Sequence, residues 1–434
     1  MLVNFRKMNP FGIIIGTLRL ATCSIIGLLT LSALFLATSC LDAPAETQED
    51  TRNSDVIRDP AVKATMNTKK SENQSNLLHG SPDETINIGL IVSSQVSKSE
   101  LARSASDGAE LAVQQANMAG GYDHRCFRLL VRSCDGPWGM AAKEAVSLIT
   151  ESRVVALLTS LDGRNAHLIE QVATKTKVIM LSARATDPTL SQAFVPWYFR
   201  CVPDDNLQAE ALAGELVKRK KMNHLMVVSE NSYDSRLASG AFMKKLKEMT
   251  EQLPVQFFYD QLKPDFSSLT EQIKNTGINN IVLFGGPENS LRLLKRLTET
   301  GKEYIIFGPF SVMGEINNLK EFWNYTDHMV LTSVDFWFTA DGNKFQEVFC
   351  RTYGYLPGPL AAFAYDGMNI LIEAIKMGGL EQEKMVNSLA KIKYEGVTGT
   401  IQFDDKGNRK GKPDFIEIVH GKPVPVRINN EALK

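Results

Sequence analysis

The chain has 434 residues and a formal net charge of −1, with 22% charged and 8% aromatic residues, an ordinary globular balance. Residues 1–39 hold three cations and no acid, so their removal takes the charge from −1 to −4, which excludes the basic footprint of a nucleic-acid-binding protein. The six histidines are dispersed and no C-x-x-C pair occurs, so ligand spacing argues against a zinc or haem site.

At the N-terminus, Arg6, Lys7 and Arg19 precede an uncharged apolar stretch from Leu20 to Ala37. A basic region, an apolar run and small residues form an export signal. The run ends in Leu36-Ala37-Thr38-Ser39-Cys40, which resembles a bacterial lipobox. The resemblance implies that residues 1–39 are a signal peptide and that Cys40 is lipidated and tethers the chain to a membrane surface outside the cytoplasm. The usual Leu three places before the Cys is Ala37 here, with Leu36 one place further back. The competing reading is an uncleaved anchor, since eighteen apolar residues are barely long enough to span a bilayer. Residues 41–84 contain no Phe, Trp or Tyr, too little apolar surface to offset ordering entropy. Residues 40–84 are therefore expected to be a flexible stalk spanning about 35–40 Å as a random coil. With Cys40 modified, Cys126, Cys134, Cys201 and Cys350 remain, and both disulfides and free thiols stay open.

From residue 85 the pattern changes. Ile86–Val92 is an apolar run of strand length, and residues 99–118 carry apolar residues at helical spacing, ended by Gly120-Gly121. Strands follow at Cys126–Val131, Val154–Leu158 and Val178–Leu181, with helices over 139–150 and 164–174 between them. A second series runs through helix 205–219, strand Leu225–Val228, helix 234–250, strand Val255–Tyr259 and helix 267–275. It continues through strand Ile281–Phe284, helix 288–300 and strand Tyr304–Phe307. Strands alternating with helices predict βαβ units and parallel sheets covered on both faces. The two series predict an α/β fold of two doubly wound parallel-sheet lobes with a cleft between them. Ligand sites in such sheets lie beyond the carboxyl ends of the strands, where hydroxyl-rich and glycine-rich loops recur. The same residues also serve as turn and cap residues.

The run Gly108-Ala109-Glu110-Leu111-Ala112-Val113, then Asn117-Met118-Ala119-Gly120-Gly121, resembles the GAxLAVxxxNAxGG signature of type I periplasmic binding proteins. The resemblance continues through Leu181–Pro188, Phe199–Asp205, Tyr233–Ala238, Ala364–Gly367 and Gly399–Gly407. It is nearest in pattern to the leucine/isoleucine/valine-binding proteins, the extracytoplasmic receptors of ABC importers. It implies lobe 1 from residues 85–202 and 335–398, lobe 2 from 203–334 and 399–434, and three crossovers near Cys201, Val334–Asp335 and Gly399. A small ligand, an amino acid in the named relatives, is trapped by hinge closure and passed to an ABC permease, with no cofactor.

The resemblance also implies a ligand set. Ser160 stands where a hydroxyl meets the ligand carboxylate. Arg184 and Thr186 stand where a backbone group and a hydroxyl meet the ligand, Thr186 at the ammonium. Tyr233 is the closing aromatic, and Leu101 packs on the ligand side chain. Two positions depart from the pattern. Phe310 replaces an acidic residue that meets the ammonium, and a buried ammonium without a carboxylate is costly; Asp366 or Asp162 is the expected substitute, unless the ligand is not an α-amino acid. Arg184 stands where small residues are usual. It either pairs with an extra ligand carboxylate or turns to solvent with only its backbone facing the ligand. Trp138 is a further candidate lining residue.

A ligand-sensing or regulatory lipoprotein of the same fold is the alternative function. An enzyme has little support: no G-x-S-x-G elbow, Walker A loop or H-E-x-x-H helix occurs. The pairs Asp204-Asp205 and Asp404-Asp405 fall at turns or crossovers, where solvated aspartates are expected. Trp323 and Phe336–Phe338 are expected as core or crossover packing, with Phe336–Phe338 within possible reach of the cleft.

Overall fold

The computed structural model describes residues 85–426, apart from Phe194, Lys220, residues 222–223, Gln252, residues 315–324, Thr326, residues 334–337 and Gly421. The leader, Cys40, the stalk, Trp323, Phe336, Trp337 and the Val334–Asp335 crossover lie outside the described residues.

The first series folds as β1 (Thr85–Val92), α1 (Glu100–Met118), β2 (Cys126–Ser133), α2 (Met140–Thr150), β3 (Ala156–Ser160), α3 (Gly163–Thr176) and β4 (Ile179–Ser182). One strand that the alternation leaves out, β5 (Tyr198–Arg200), completes a parallel sheet in the order β2-β1-β3-β4-β5. Three residues are too few to carry a periodic signal; β5 is specified by its pairing with β4.

The second series is α4 (Asp205–Lys218), β6 (Leu225–Glu230), α5 (Tyr233–Met249), β7 (Val255–Tyr259), α6 (Phe266–Asn275), β8 (Asn280–Phe284), α7 (Pro287–Glu299) and β9 (Ile305–Gly308). Then come β10 (Met329–Ser333), α8 (Ala340–Tyr353), α9 (Pro359–Gly378), α10 (Gln382–Lys391), the hairpin β11 (Tyr394–Gly396) and β12 (Gly399–Ile401), and finally β13 (Asp414–Val419) and β14 (Lys422–Pro425). The second sheet runs β14-β13-β10-β9-β8-β6-β7. The alternation that predicts parallel pairing ends at Phe307; beyond it, β13 and β14 run antiparallel. A short hairpin connection cannot make the long crossover that a parallel pair needs.

Helices α1 and α9 pack closely on the first sheet because their facing residues are small. Ala105, Ala109 and Ala112 of α1 and Ala361, Ala362 and Ala364 of α9 are all fully buried. A Cβ at Gly108 would fall 2.2 Å from the Ala361 carbonyl oxygen, so only glycine permits this approach. Ser99 starts α1 by accepting the Ala102 amide at 3.3 Å. Gly120 (φ 99°) and Gly121 (φ 67°) then turn the chain away in the left-handed region.

Two buried arginines fasten the crossovers near residues 201 and 399. Arg200 Nε donates to Asn408 Oδ1 at 3.1 Å, Nη1 to the Asp187 carbonyl at 2.7 Å and Nη2 to Ser191 Oγ at 3.2 Å. Arg409 Nη1 donates to the Cys201 carbonyl and to Thr398 Oγ1, both at 3.0 Å. The question left open by the cysteines is answered: Cys126, Cys134, Cys201 and Cys350 are all free.

Gly108→Ala is expected to lower stability by about 2–3 kcal/mol, because the added methyl meets backbone that cannot yield. Urea unfolding checks this, and an unchanged midpoint would show that α1 and α9 separate at no cost.

Candidate functional site

The carboxyl ends of the strands of both sheets meet around a cavity of about 560 Å³. Lobe 1 supplies the loops after β1 to β4, with Ser93, Trp138, Asp162 and Arg184 at its wall, and Asp205 enters from the start of α4, on the lobe 2 side of the crossover after β5. Lobe 2 supplies Glu230, Tyr233 and Asp234 after β6, Gln261 after β7, Gly285 after β8 and Phe310 after β9. This is where open α/β sheets hold ligands.

Of the residues named from the sequence, Leu101, Arg184, Thr186, Tyr233 and Phe310 all line the cavity, as do Asp162 and Trp138. Trp138 is 69% exposed and stands at the mouth. Ser160 does not line it; at the end of β3 it is only 2% exposed. Asp366 is not brought to the cavity either. It is wholly buried in α9, where Oδ1 accepts the Val397 amide at 3.0 Å and Oδ2 the Thr398 amide at 2.8 Å. Burial pushes its carboxyl up to about 6, against the bonds from Thr398 and Val397. Its acceptors are spent on the crossover strand, which rules it out as the substitute acid. Phe310 packs its ring 5.4 Å from that of Phe363, so an aromatic contact occupies the position of the expected acid.

The acid that does face the cavity is one the sequence assigns to a solvated turn. The pair Asp204-Asp205 is buried and divides its work. Asp204 caps α4, accepting the Leu207 amide at 2.8 Å. Asp205 is 3% exposed and lines the cavity, and its Oδ2 has no hydrogen-bond partner among the described residues. Burial drives its carboxyl well above the ordinary range, and a hydrogen bond with Thr186 opposes the shift. The only signal in the sequence is the position directly after the Asp204 cap, which sets Asp205 in the first turn of a helix starting at a strand end.

Two hydrogen bonds span the lobes at the cavity wall. Asp234 Oδ1 of lobe 2 accepts the Gly163 amide at the start of α3, at 3.0 Å. Burial, then the charge of Asp162, push the Asp234 carboxyl up to about 6. Tyr233 donates its hydroxyl to Asp187 Oδ2 at 2.9 Å. Asp187 also meets His167 Nε2 at 3.0 Å and accepts the Thr189 hydroxyl at 2.7 Å, and His167 Nδ1 lies 3.3 Å from Glu170. Bonds to Asp187 and then Glu170 raise the His167 imidazole to about 9. Burial pushes Asp187 up, but the bonds from His167 and Thr189 outweigh it and hold the carboxyl down to about 2. His167 is thus a cation at neutral pH that keeps Asp187 ionised to receive Tyr233.

Two doubly wound lobes meeting around a cavity at their strand ends define a two-lobe solute-binding protein of the type I class. Residues 85–416 match the family model described as periplasmic binding protein, and the chain belongs to that family. Membership implies a location outside the cytoplasm. The chain is 24% identical over 310 residues to the leucine-, isoleucine-, valine-, threonine- and alanine-binding protein of Pseudomonas aeruginosa, covering 70% of this chain and 81% of that one. In fold it matches a leucine-binding protein of Thermotoga maritima at a TM-score of 0.71 and 19% identity, covering 79% of this chain and 98% of that one. It matches equally, at 0.71 and 16% identity, a solute-binding protein of an ABC transporter from Rhodopseudomonas palustris in complex with 3,4-dihydroxybenzoic acid, covering 79% and 96%.

The raised His167 value gives a signed expectation. Its stabilisation is fully present below the ordinary value of 6.5 and is lost as pH rises through about 9. Between those limits the melting temperature of the protein should fall more steeply than that of His167→Asn. Parallel curves would show that the imidazole contributes no linkage.

Proposed function

We propose that this chain is a lipid-anchored extracytoplasmic receptor that captures an α-amino acid between its lobes by hinge closure and delivers it to an ABC importer, with no chemistry done on the ligand. The observation that carries the amino-acid reading is Asp205. A buried carboxylate oxygen without a partner, at the wall of a cavity and beside the Thr186 hydroxyl, is stabilised by a cation that brings N–H donors. The ammonium group of an amino acid meets that requirement. Asp205 thereby takes the part that the resemblance gives to the acid replaced by Phe310. An aromatic acid with no donor besides its carboxyl group leaves Asp205 unpaired.

The remaining roles follow from placement. Tyr233 and Asp234, at the start of α5, already reach lobe 1, so they act as the closing edge of lobe 2. Leu101 and Phe310 supply apolar wall. At the α3 N-terminus the Gly163 and Asn165 amides are taken by Asp234 and Asp162, which leaves the Arg164 amide to meet the ligand carboxylate, the part that the resemblance gives to Ser160. Support for the ABC partnership comes from the family and from relatives that bind branched-chain amino acids. The lipid anchor at Cys40 and the stalk over 40–84 rest on the leader sequence alone.

A thermal-shift screen of the purified protein against the twenty amino acids and a panel of aromatic acids tests this, since a ligand of the folded state raises the melting temperature. An amino acid should give the rise, and both Thr186→Ala and Asp205→Asn should weaken it, the latter by about 100-fold in affinity. A rise with aromatic acids alone, or full affinity in Asp205→Asn, would overturn the reading.

A further inference from the structure

We propose that the captured amino acid carries a second anionic group, on its side chain, and that Arg184 is the residue that selects for it; this rests on the amino-acid reading above. The argument starts from the order of strand ends. Thr186, after β4, and Asp205, whose amide donates to the Thr186 carbonyl at 2.9 Å, mark the β4–β5 end of the cavity. Arg184 also follows β4, but its side chain runs the other way. Its Nη1 donates to Ser93 Oγ, after β1, at 3.3 Å, and β3 lies between β4 and β1. Two strand spacings are about 10 Å, so the guanidinium faces the part of the cavity away from the ammonium position. The solvent-directed alternative for this arginine does not hold: the side chain is half-buried and lines the cavity.

The guanidinium is under-used. It has five N–H donors, and the one bond made among the described residues goes to a neutral hydroxyl. The nearby acids are otherwise engaged. Asp162 caps α3, its two oxygens accepting the Asn165 amide at 3.0 Å and the Asn165 side chain at 2.8 Å. Asp234 holds the Gly163 amide, and Arg184 reaches it only as a longer-range charge. Burial pushes the neighbouring Cys134 thiol up to about 11, so it supplies no thiolate. The other neighbours on this side, Leu101 and Trp138, are apolar.

A second cation stands at the mouth. Arg164 is exposed, with its guanidinium 5.1 Å from the Tyr233 ring centre and 6.0 Å from that of Trp138. The cavity is therefore bipolar among the described residues, with the Asp205 carboxyl, whose Oδ2 has no partner, at one end and a guanidinium without an acidic partner toward the other. A ligand with a neutral aliphatic side chain would desolvate Arg184 without replacing its water. A planar side-chain carboxylate would take two of its N–H groups at once. This separates the present site from receptors of branched-chain amino acids.

Calorimetric titration of the purified protein with L-glutamate, L-aspartate, L-glutamine and L-leucine tests the inference. Glutamate or aspartate should bind at least about tenfold more tightly than glutamine and leucine. Arg184→Gln should bring the ratio of glutamate to glutamine affinity to about one, and Arg184→Lys should keep part of it. If Arg184→Gln does not fold, the glutamate-to-glutamine ratio of the unaltered protein decides. Glutamine or leucine binding as tightly as the acidic amino acids would overturn this inference and leave the amino-acid reading standing. No heat with any amino acid in a wider screen would overturn both.

Discussion

The two buried guanidiniums at the crossovers are the constraint on which the rest of the molecule depends. Arg200 is fully buried and its N–H groups reach Asn408, Ser191 and the carbonyls of Ala185 and Asp187. Arg409 holds the Cys201 carbonyl and Thr398. A buried cation is tolerated only while its partners remain, so the segment 398–409 has one place to lie. Asp366 adds to this by accepting the Val397 and Thr398 amides from α9. The same bonds reach the site: the Asp187 carbonyl held by Arg200 belongs to the residue whose carboxylate receives Tyr233. The crossovers and the closing edge of the cavity are thus parts of one polar network.

Charge in the cavity is arranged by burial rather than by number. Asp162, Asp205, Glu230 and Asp234 all line it, yet three of them are engaged within the protein. Asp162 caps α3, Asp234 holds an amide across the lobes, and Glu230 accepts from Asn289 at 3.0 Å. Asp205 keeps an oxygen without a partner among the described residues. Phe310 stacks against Phe363, which lies on α9, so the position where the resemblance leads one to seek an acid serves packing instead. The requirement for a negative group has moved to a different loop of the same wall.

The strand and helix alternation through residue 308 was legible because each buried strand is a short apolar run and each helix shows one apolar face. β5 was not, because three residues carry no period. The antiparallel ends of the second sheet were not, because the alternation that predicts parallel strands stops at Phe307, and Asp414–Val419 and Lys422–Pro425 lie beyond it. The site was legible in part. Position after a strand pointed to the loops, and the resemblance picked out within them Arg184, Thr186, Tyr233 and Phe310, which line the cavity. The same reasoning could not tell a loop carboxylate that caps a helix from one that faces a ligand, and it gave Asp205 to solvent and Asp366 to the site.

By itself, then, the chain determined its periodicities: apolar runs for the parallel strands of both sheets, small residues where α1 and α9 must approach, and glycines where the chain turns left-handed. These are local properties, set by the spacing of residues along one element. Only the tertiary structure decided which polar groups were left over. Asp204 and Asp205 are neighbours of the same type, and one caps a helix while the other faces the cavity unpaired. Whether a buried carboxylate or guanidinium is satisfied depends on what lies within about 3 Å of it in space. For Asp366 those partners are more than thirty residues away along the chain, and one partner of Arg200, Asn408, is more than two hundred away, and no periodicity reports them.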